Sequence, residues 1–260
     1  MEHCKLLLFD LDGTLLRSDK TISPRTLAAL KRCREKGALI GVATSRSEQN
    51  SLGYLKTLAP DVLITSGGAL VKVAGQWVEQ AVFSHRETSA MIATARAVCG
   101  EDCQITIDTI EANYWNYKVD PRTLDAGWGE SIYTNFTDFR ECAIKMCVEI
   151  FDGKQAEELS RRLPWCDFAR FSDGYWYKFT KKNVTKESAI RKAAAAGGFG
   201  IESIIAFGDD YADVGMLEIC GLGVAVGNAI AQVKEKADVT IGTNDEDGIA
   251  VFLEETFGLV

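Results

Sequence analysis

Acidic residues in this sequence stand directly after short apolar runs, at positions where strands would end. Asp10 and Asp12 follow the first apolar run of the chain, and Asp209 and Asp213 follow a later one. Because ligands bind outside the carboxyl ends of the strands in an open parallel sheet, we expect these side chains to share one site. Clustered carboxylates repel one another unless a cation compensates their charge, and Mg²⁺ prefers oxygen ligands. The pattern therefore predicts a magnesium site at this cluster.

The same carboxylates suggest a reaction. A carboxylate can attack phosphorus and form an aspartyl-phosphate, which divides one difficult hydrolysis into two easier steps, and we expect Asp10 to be this nucleophile. Asp12 lies two residues further on, and Gly13 lets the chain curl so that Asp12 can reach a leaving-group oxygen. Asp12 would then serve as general acid and later as general base. A structural alternative, in which each aspartate caps the following helix, accounts for Asp209 or Asp213 alone but poorly for the set.

A lysine near the start of a helix points to an anionic ligand. Lys186 falls in the first turn of a predicted helix with Thr185 as its N-cap, where a positive charge opposes the helix dipole. A bound phosphoryl group would remove that penalty, although a solvated surface lysine remains an alternative. Thr44, and the amide of Ser45 at the start of another predicted helix, can donate hydrogen bonds to the same oxygens. We therefore predict a phosphate site formed by Thr44, Ser45 and Lys186.

The elements that must position these residues alternate between strand and helix. Apolar strand patterns occur at residues 5–9, 38–43, 62–65 and 203–207, with helices predicted at 24–36, 46–57 and 186–196. Continuous apolar strands separated by helices are typical of a parallel sheet covered on both faces. We predict an α/β fold with a doubly wound, Rossmann-like parallel sheet, formed by residues 1–82 and 184–260.

The pattern changes between residues 83 and 183. Helix, paired strands, and then strand, helix and two further strands follow in order, with alternating apolar residues that favour an antiparallel sheet with one covered face. We predict an inserted α+β domain over residues 83–183.

Composition narrows the range of partners. The net charge of −8 and the pI near 5.0 argue against nucleic acid, and no apolar run approaches the ~20 residues of a membrane span. We expect a cytoplasmic protein without a membrane partner, whose eight cysteines are reduced because no Cys-x-x-Cys pair occurs. A small phosphorylated metabolite is the expected ligand, and the chain is expected to be a monomer or a small homo-oligomer.

These residues fall into four segments that resemble the motifs of the haloacid dehalogenase superfamily. The segments are Asp10-Leu-Asp-Gly-Thr14, Ala43-Thr-Ser-Arg46, Asn183-Val-Thr-Lys186 and Gly208-Asp-Asp-Tyr-Ala-Asp213. The insert resembles a type IIB cap, and the segments at 227–229 and 245–248 resemble those of the Cof-type sugar-phosphatase branch. The resemblance covers nearly the whole chain and implies a magnesium-dependent sugar phosphatase.

The resemblance also implies roles. It makes Asp10 the nucleophile and a metal ligand, and Asp12 the acid/base whose backbone carbonyl binds the metal. It makes Asp209 a metal ligand and Asp213 its support.

The same resemblance implies that Thr44 and Lys186 bind the phosphate. Three positions depart from the family pattern: Ser45 and Gly67 stand where Gly and Asn are common, and Ala212 replaces an Asn that often touches phosphate. The last departure predicts weaker or altered phosphate binding.

Substrate selection is expected to involve the insert, acting as a lid that excludes water and chooses the leaving group. Four of the five tryptophans lie there; most aromatic side chains should pack against its helices, and the rest should line a wall facing the substrate. Candidate substrate-binding residues are Arg46, Lys118, Arg122 and Asn228.

Three other functions stay open from the sequence. A phosphomutase, similar to phosphomannomutases, would share the aspartyl-phosphate but return the group to a sugar. A receiver-like signalling module gathers a similar set of residues around magnesium, although the Asp10 motif and the large insert do not suit it. A degenerate binding protein would retain only the fold, and the intact Asp10, Asp12, Lys186 and Asp209 argue against it.

Overall fold

The computed structural model describes residues 4–117, 131–171 and 174–259 of the chain. In chain order its strands are β1 (Leu6–Phe9), β2 (Leu39–Ala43), β3 (Val62–Thr65), β4 (Leu70–Val73), β5 (Gln76–Gln80), β6 (Ile105–Asp108), β7 (Asn113–Trp115), β8 (Ser131–Tyr133), β9 (Lys145–Glu149), β10 (Cys166–Arg170), β11 (Trp176–Lys181), β12 (Ile204–Gly208), β13 (Leu222–Ala225) and β14 (Val239–Thr240). The α-helices are α1 (Pro24–Glu35), α2 (Leu52–Leu58), α3 (His85–Cys99), α4 (Gly153–Arg162), α5 (Lys186–Gly197), α6 (Val214–Ile219), α7 (Ala231–Lys236) and α8 (Gly248–Phe257). Within these ranges, none of the helices is both long and apolar enough to cross a membrane.

The larger sheet has eight strands in the order β14-β13-β12-β1-β2-β3-β4-β5. Its pairings are parallel from β14 to β3, while β4 and β5 extend it as an antiparallel hairpin. All four residues of the central strand β1 are at most 1% exposed, so both faces of the sheet are covered. Helix α1 contacts α8, and α6 contacts both α5 and α7. The prediction of a doubly wound α/β core is confirmed.

Within the described residues, the smaller sheet has six strands in the order β10-β11-β9-β6-β7-β8. Its pairings are antiparallel except for β7 with β8. Helices α3 and α4 contact each other, and residues such as Met91, Ile107, Val148 and Leu159 form a hydrophobic cluster separate from that of the larger sheet. This α+β unit is inserted in sequence between β5 and α5, as predicted. Residues 83–183 remain its proposed extent.

Local sequence signals explain where the long helices begin. The Ser23 hydroxyl caps α1 by accepting a hydrogen bond from the Thr26 N–H at 3.0 Å, with Pro24 at the first helical position. Ser84 and Glu87 form a reciprocal capping box at the start of α3. All eight cysteines are free thiols, as expected.

The segment after β2 differs from the prediction. Residues 46–57 were expected to be one helix, but α2 begins only at Leu52, after a short 3-10 turn at Gln49–Ser51. The Arg46 N–H bonds to the Thr44 hydroxyl oxygen at 3.1 Å, which favours a loop here. Ser45 therefore does not stand at the start of a helix, and that part of the prediction is wrong.

Candidate active site

The ends of three adjacent strands meet at one edge of the larger sheet. Asp10 follows β1, Thr44 follows β2, and Asp209 follows β12. The hydrogen bonding between β1 and β12 continues one residue beyond β1, because the Asp10 N–H donates to the Phe207 carbonyl at 3.0 Å. Asp10, Thr44 and Asp209 all line a cavity of about 690 Å³ between the two sheets.

Three carboxylates gather at this edge. One carboxylate oxygen from each of Asp10, Asp209 and Asp213 lies within 4.8 Å of the others. Asp213 is 1% exposed, and its Oδ2 accepts the N–H groups of Asp209 at 3.0 Å and Asp210 at 3.1 Å. Burial raises the pKa of Asp10 well above its usual value, and the neighbouring charges of Asp213 and Asp209 add to the effect. The predicted acidic cluster therefore forms, with these three side chains as its members.

Close contacts with Thr14 and Gly13 fix the position of the Asp209 carboxylate. Its Oδ1 accepts a 2.6 Å hydrogen bond from the buried Thr14 hydroxyl. A Cβ at Gly13 would lie 2.3 Å from the Asp209 carboxylate, and Gly13 has φ +75°, so only glycine fits this close approach. Burial raises the pKa of Asp209 to about 7, although the Thr14 hydrogen bond opposes this change.

Lys186 lies at the first position of α5 and is directed into the acidic cluster. Its Nζ is 2.6 Å from Asp10 Oδ1 and 2.6 Å from Asp213 Oδ1, and the side chain is 2% exposed. Burial alone would lower the pKa of Lys186, but the Asp10 and Asp213 carboxylates outweigh it and raise the pKa. The α5 N-terminus is completed by Thr185, which accepts the N–H of Ser188 at 3.2 Å. The lysine is therefore not a solvated surface residue.

A divalent cation fits this cluster. Among the described residues, the Lys186 ammonium is the cation paired with this cluster, and it contacts two of the three carboxylates, which leaves a surplus of negative charge. Burial, together with the neighbouring carboxylates, raises the pKa of Asp10 and of Asp209, so their ionised forms are disfavoured in the absence of a further cation. Carboxylate oxygens are the donors that Mg²⁺ prefers. Asp10, Asp209 and Asp213 are thus the side chains that could hold such an ion.

The Asp12 carboxylate is held apart from that cluster. Its oxygens accept hydrogen bonds from Arg46 Nε at 2.6 Å, Arg46 Nη2 at 2.7 Å and Lys20 Nζ at 2.8 Å. Burial would raise the pKa of Asp12, but these contacts with Arg46 and Lys20 lower it to about 2. The sequence predicts that Asp12 binds the metal through its backbone carbonyl, not through this side chain. That role stays a prediction.

Thr44 and Ser45 lie beside Asp10 on the cavity wall. Thr44 is 1% exposed, and its N–H donates to the Ile64 carbonyl at 2.9 Å. Its amide is already used, but its hydroxyl, which accepts the Arg46 N–H, can still donate its own proton to a ligand. The Ser45 carbonyl accepts a 2.7 Å hydrogen bond from Lys145 Nζ, which joins the two sheets across the cavity.

Comparison with known proteins agrees with this geometry. Residues 7–253 match the family model of haloacid dehalogenase-like hydrolases. A Haemophilus influenzae protein is 33% identical over an alignment of 267 positions, which covers 97% of this chain and 98% of that protein.

The chain belongs to the haloacid dehalogenase-like hydrolases.

Several relatives of this haloacid dehalogenase-like hydrolase are named as phosphatases. The 5-amino-6-(5-phospho-D-ribitylamino)uracil phosphatase YitU of Bacillus subtilis is 28% identical, covering 98% of both chains. The pyridoxal phosphate phosphatase YbhA of Escherichia coli is 25% identical, covering 96% of this chain and 97% of its own. The subclass IIB sugar phosphatase BT4131 superposes with a TM-score of 0.83 at 26% identity, covering 98% of this chain and all of that one. The chain is therefore an enzyme of the phosphatase type, with a subclass IIB cap.

The cap sheet forms the roof of the cavity in this hydrolase. Trp115, Tyr117 and Trp176 line it as a chain of aromatic contacts, with ring centroids 5.3 Å and 5.5 Å apart. Tyr114 and Tyr177 instead pack against the cap's hydrophobic cluster, although Tyr114 also reaches the cavity. The expected aromatic wall therefore forms along the cavity. The expectation that most of the aromatic residues pack against the cap helices is wrong, because among the described residues Tyr133, Trp165 and Tyr175 are exposed.

The predicted substrate-binding residues are not all brought together. Arg46 lines the cavity, but Asn228 lines a separate pocket of about 400 Å³, where its Nδ2 donates to the Gly13 carbonyl at 2.6 Å. Lys118 and Arg122 lie outside the described residues.

Two cap pairs at the cavity were not predicted. The side chains of Lys145 and Asp108 are 8% and 5% exposed and form an ion pair of 2.7 Å. Asn113 of the cap donates a hydrogen bond to the side-chain carbonyl of Asn50 in the core. The lysine could have been noticed, because it opens the strand Lys145–Glu149 and the three residues after it are apolar.

Proposed function

We propose that this hydrolase is a Mg²⁺-dependent phosphatase that hydrolyses small phosphate monoesters through an aspartyl-phosphate on Asp10. The observation that carries the proposal is the buried Asp10 carboxylate, 2.6 Å from Lys186 Nζ and grouped with Asp209 and Asp213 at the cavity floor. A nucleophile in this position is unprotonated only when cations compensate its charge, and both the lysine and a metal ion would do so.

The phosphoryl group would be held by three residues around Asp10. Lys186 supplies positive charge, and Thr44 and Ser45 supply hydrogen-bond donors from the loop after β2. Mg²⁺ bound by the carboxylates of Asp10 and Asp209, with Asp213 in support, would neutralise charge that develops on the phosphoryl oxygens.

The reaction then has two steps. In the first, an Asp10 oxygen bonds to phosphorus while the bond from phosphorus to the leaving-group oxygen breaks, and that oxygen takes a proton from Asp12. In the second, Asp12 takes a proton from water, the water oxygen bonds to phosphorus, and Asp10 is released.

The contact between Arg46 and Asp12 bears on both steps. Arg46 keeps the Asp12 carboxylate ionised, which suits its role as base in the second step. To act as acid in the first step, Asp12 must carry a proton, so we expect the substrate to displace this contact when it binds.

The substrate is proposed to be a phosphorylated metabolite such as a sugar phosphate. The aromatic rings of Trp115, Tyr117 and Trp176 can pack against a ring or a carbon chain of the leaving group, while Asp108 and Asn113 can bond to its hydroxyls. Residues 83–183, as a lid, would exclude water from the reaction. The relatives reported above give no support to the phosphomutase or receiver alternatives.

The test is hydrolysis of a panel of sugar phosphates, nucleotides and cofactor phosphates with Mg²⁺, comparing the wild type with Asp10→Asn and with Asp19→Asn, an exposed control. We expect turnover that Asp10→Asn and EDTA abolish and Asp19→Asn preserves. Trapping the wild type with hydroxylamine during turnover should give a hydroxamate at Asp10. Undiminished turnover in Asp10→Asn would contradict the proposal.

A further inference from the structure

Lys178 lies on the cavity side of the cap sheet. Side chains alternate along β11, and Tyr177 and Phe179 pack into the hydrophobic cluster beneath the cap helices. On the opposite face, Trp176 lines the cavity, and so does Cys147, the cross-strand partner of Lys178. Lys178 therefore projects from the cap toward the core.

The Lys178 ammonium lies over a turn that touches the proposed phosphate site on two sides. A Cβ at Gly67 would be 2.9 Å from Lys178 Nζ, so the missing side chain at residue 67 makes room for the ammonium. The Gly67 N–H donates to the Thr44 carbonyl at 3.0 Å. The next residue, Gly68, is so close to Thr185 that a Cβ there would lie 2.3 Å from its carbonyl oxygen. The turn beneath the ammonium is thus in contact with both of the segments that carry Thr44 and Lys186.

Unlike the four cations that line the cavity, Lys178 has no acidic partner among the residues that the structure describes. Arg46 and Lys20 pair with Asp12, Lys145 pairs with Asp108, and Lys186 pairs with Asp10 and Asp213. Across residues 4–117, 131–171 and 174–259, Lys178 has neither a salt bridge nor a side-chain hydrogen bond.

This position is electrostatically costly without a ligand. Burial and the charges of Lys186 and Lys145 together lower the pKa of Lys178 to about 8, against opposing contributions from Cys147 and Asp213. A partly buried cation beside like charges destabilises the fold unless an anion joins it. A phosphate monoester is such an anion, and its phosphoryl group would occupy the adjoining site.

We propose that Lys178 is an additional anion-binding residue, supplied by the cap, that contacts the phosphoryl group of the bound ester alongside Lys186 and Thr44. The inference rests on the proposed function, because it assumes that the phosphoryl group binds at Asp10. With this contact, the affinity of the enzyme for phosphate depends on a residue of the cap as well as on residues of the core.

The test compares Lys178→Met with Lys182→Met, a control in the same part of the chain whose side chain is 57% exposed. Inorganic phosphate binding is measured by calorimetry with Mg²⁺ present, together with KM, kcat and the melting temperature. We expect Lys178→Met to weaken phosphate binding and to raise KM at least tenfold, since a charged hydrogen bond is lost. The melting temperature of the ligand-free protein should stay the same or rise, and Lys182→Met should match the wild type in phosphate binding.

Two outcomes would overturn the inference: phosphate affinity equal to that of Lys182→Met, or a fall in melting temperature with unchanged affinity of the folded protein. If Lys178→Met does not fold, Lys178→Gln is measured in the same way and against the same criteria. The binding measurement needs no turnover. Absence of hydrolysis by the wild type would therefore count against the proposed function, while a normal phosphate affinity in the Lys178 variants would count against this inference alone.

Discussion

Lys145 of the cap donates a 2.7 Å hydrogen bond to the carbonyl oxygen of Ser45 in the core. The same ammonium is 2.7 Å from Asp108 on the neighbouring cap strand, and all of these atoms lie at the cavity wall. Burial would lower the pKa of Lys145, but Asp108 outweighs burial and raises it, so the lysine stays charged. One charged side chain therefore connects the roof of the cavity to the loop that carries the proposed phosphate donors.

Lys145→Met should destabilise the protein by about 3–5 kcal/mol, because it leaves the buried Asp108 carboxylate unpaired. Adding Asp108→Asn in the same chain should recover part of that loss. Urea denaturation of the two single variants and the double variant gives the coupling energy of the pair. Strictly additive effects would show that the ion pair does not stabilise the fold.

Lys186→Met should have at least as large an effect, since it leaves the buried Asp10 and Asp213 carboxylates side by side without a compensating charge. We expect turnover to be lost and the free energy of unfolding to fall by about 3–5 kcal/mol or more. Millimolar Mg²⁺ should restore part of the stability. Lys192→Met, which removes an exposed pair with Glu79, should change the free energy by no more than about 1 kcal/mol.

Removal of divalent ions should lower the melting temperature as well as stop turnover, because the three carboxylates would repel one another. The measurement is thermal unfolding in EDTA and across a Mg²⁺ titration. In Asp209→Asn we expect the Mg²⁺-dependent rise to require at least tenfold more metal. An equal rise in Asp209→Asn and the wild type would place the ion elsewhere.

Gly13→Ala tests the close approach to Asp209, and Gly37→Ala is a matched control. Both glycines have positive φ, at +75° and +91°, but nothing lies within 4 Å of a Cβ at Gly37. Both variants should lose about 1–2 kcal/mol through backbone strain. Only Gly13→Ala should also weaken Mg²⁺ binding and reduce kcat, on the order of a hundredfold. Similar kcat values for the two variants would show that the contact is unimportant.

The lowered pKa of Lys178 predicts a pH effect on stability. Its pKa is about 8 in the folded protein and about 10.4 in an unfolded chain, so the unfolded state binds more protons between these values. The free energy of unfolding should therefore rise with pH over this interval, by up to about 3 kcal/mol from this group. The charges that act on this pKa are those of Lys186, Lys145, Cys147 and Asp213. Subtracting the pH profile of Lys178→Met isolates the effect, and parallel profiles would contradict it.

The cluster of Asp10, Asp209, Asp213 and Lys186 could be predicted because parallel strands deliver the residues after them to one edge of the sheet. The direction of the Asp12 side chain could not, since Arg46 and Lys20 reach it from loops whose paths depend on tertiary packing.

The residues that form the roof of the cavity also could not be predicted from local sequence patterns. Alternation in β9 and β11 shows that Lys145 and Lys178 share a face with neighbours two residues away, but not which face meets the core. The helix expected from Arg46 failed for a local reason, because the Thr44 hydroxyl accepts the Arg46 N–H.

The placement of β1 between β2 and β12 has a consequence for biosynthesis. Leu6 pairs with Leu39 on one side and with Ile204 on the other. The hydrogen bonds between β1 and β12 can therefore form only after most of the polypeptide has left the ribosome. The cap has its own apolar cluster and can condense earlier. A nascent chain that stops before β12 would carry a folded lid and a nucleophile but neither Asp209 nor Asp213, and catalytic competence should be among the last properties that the growing polypeptide acquires.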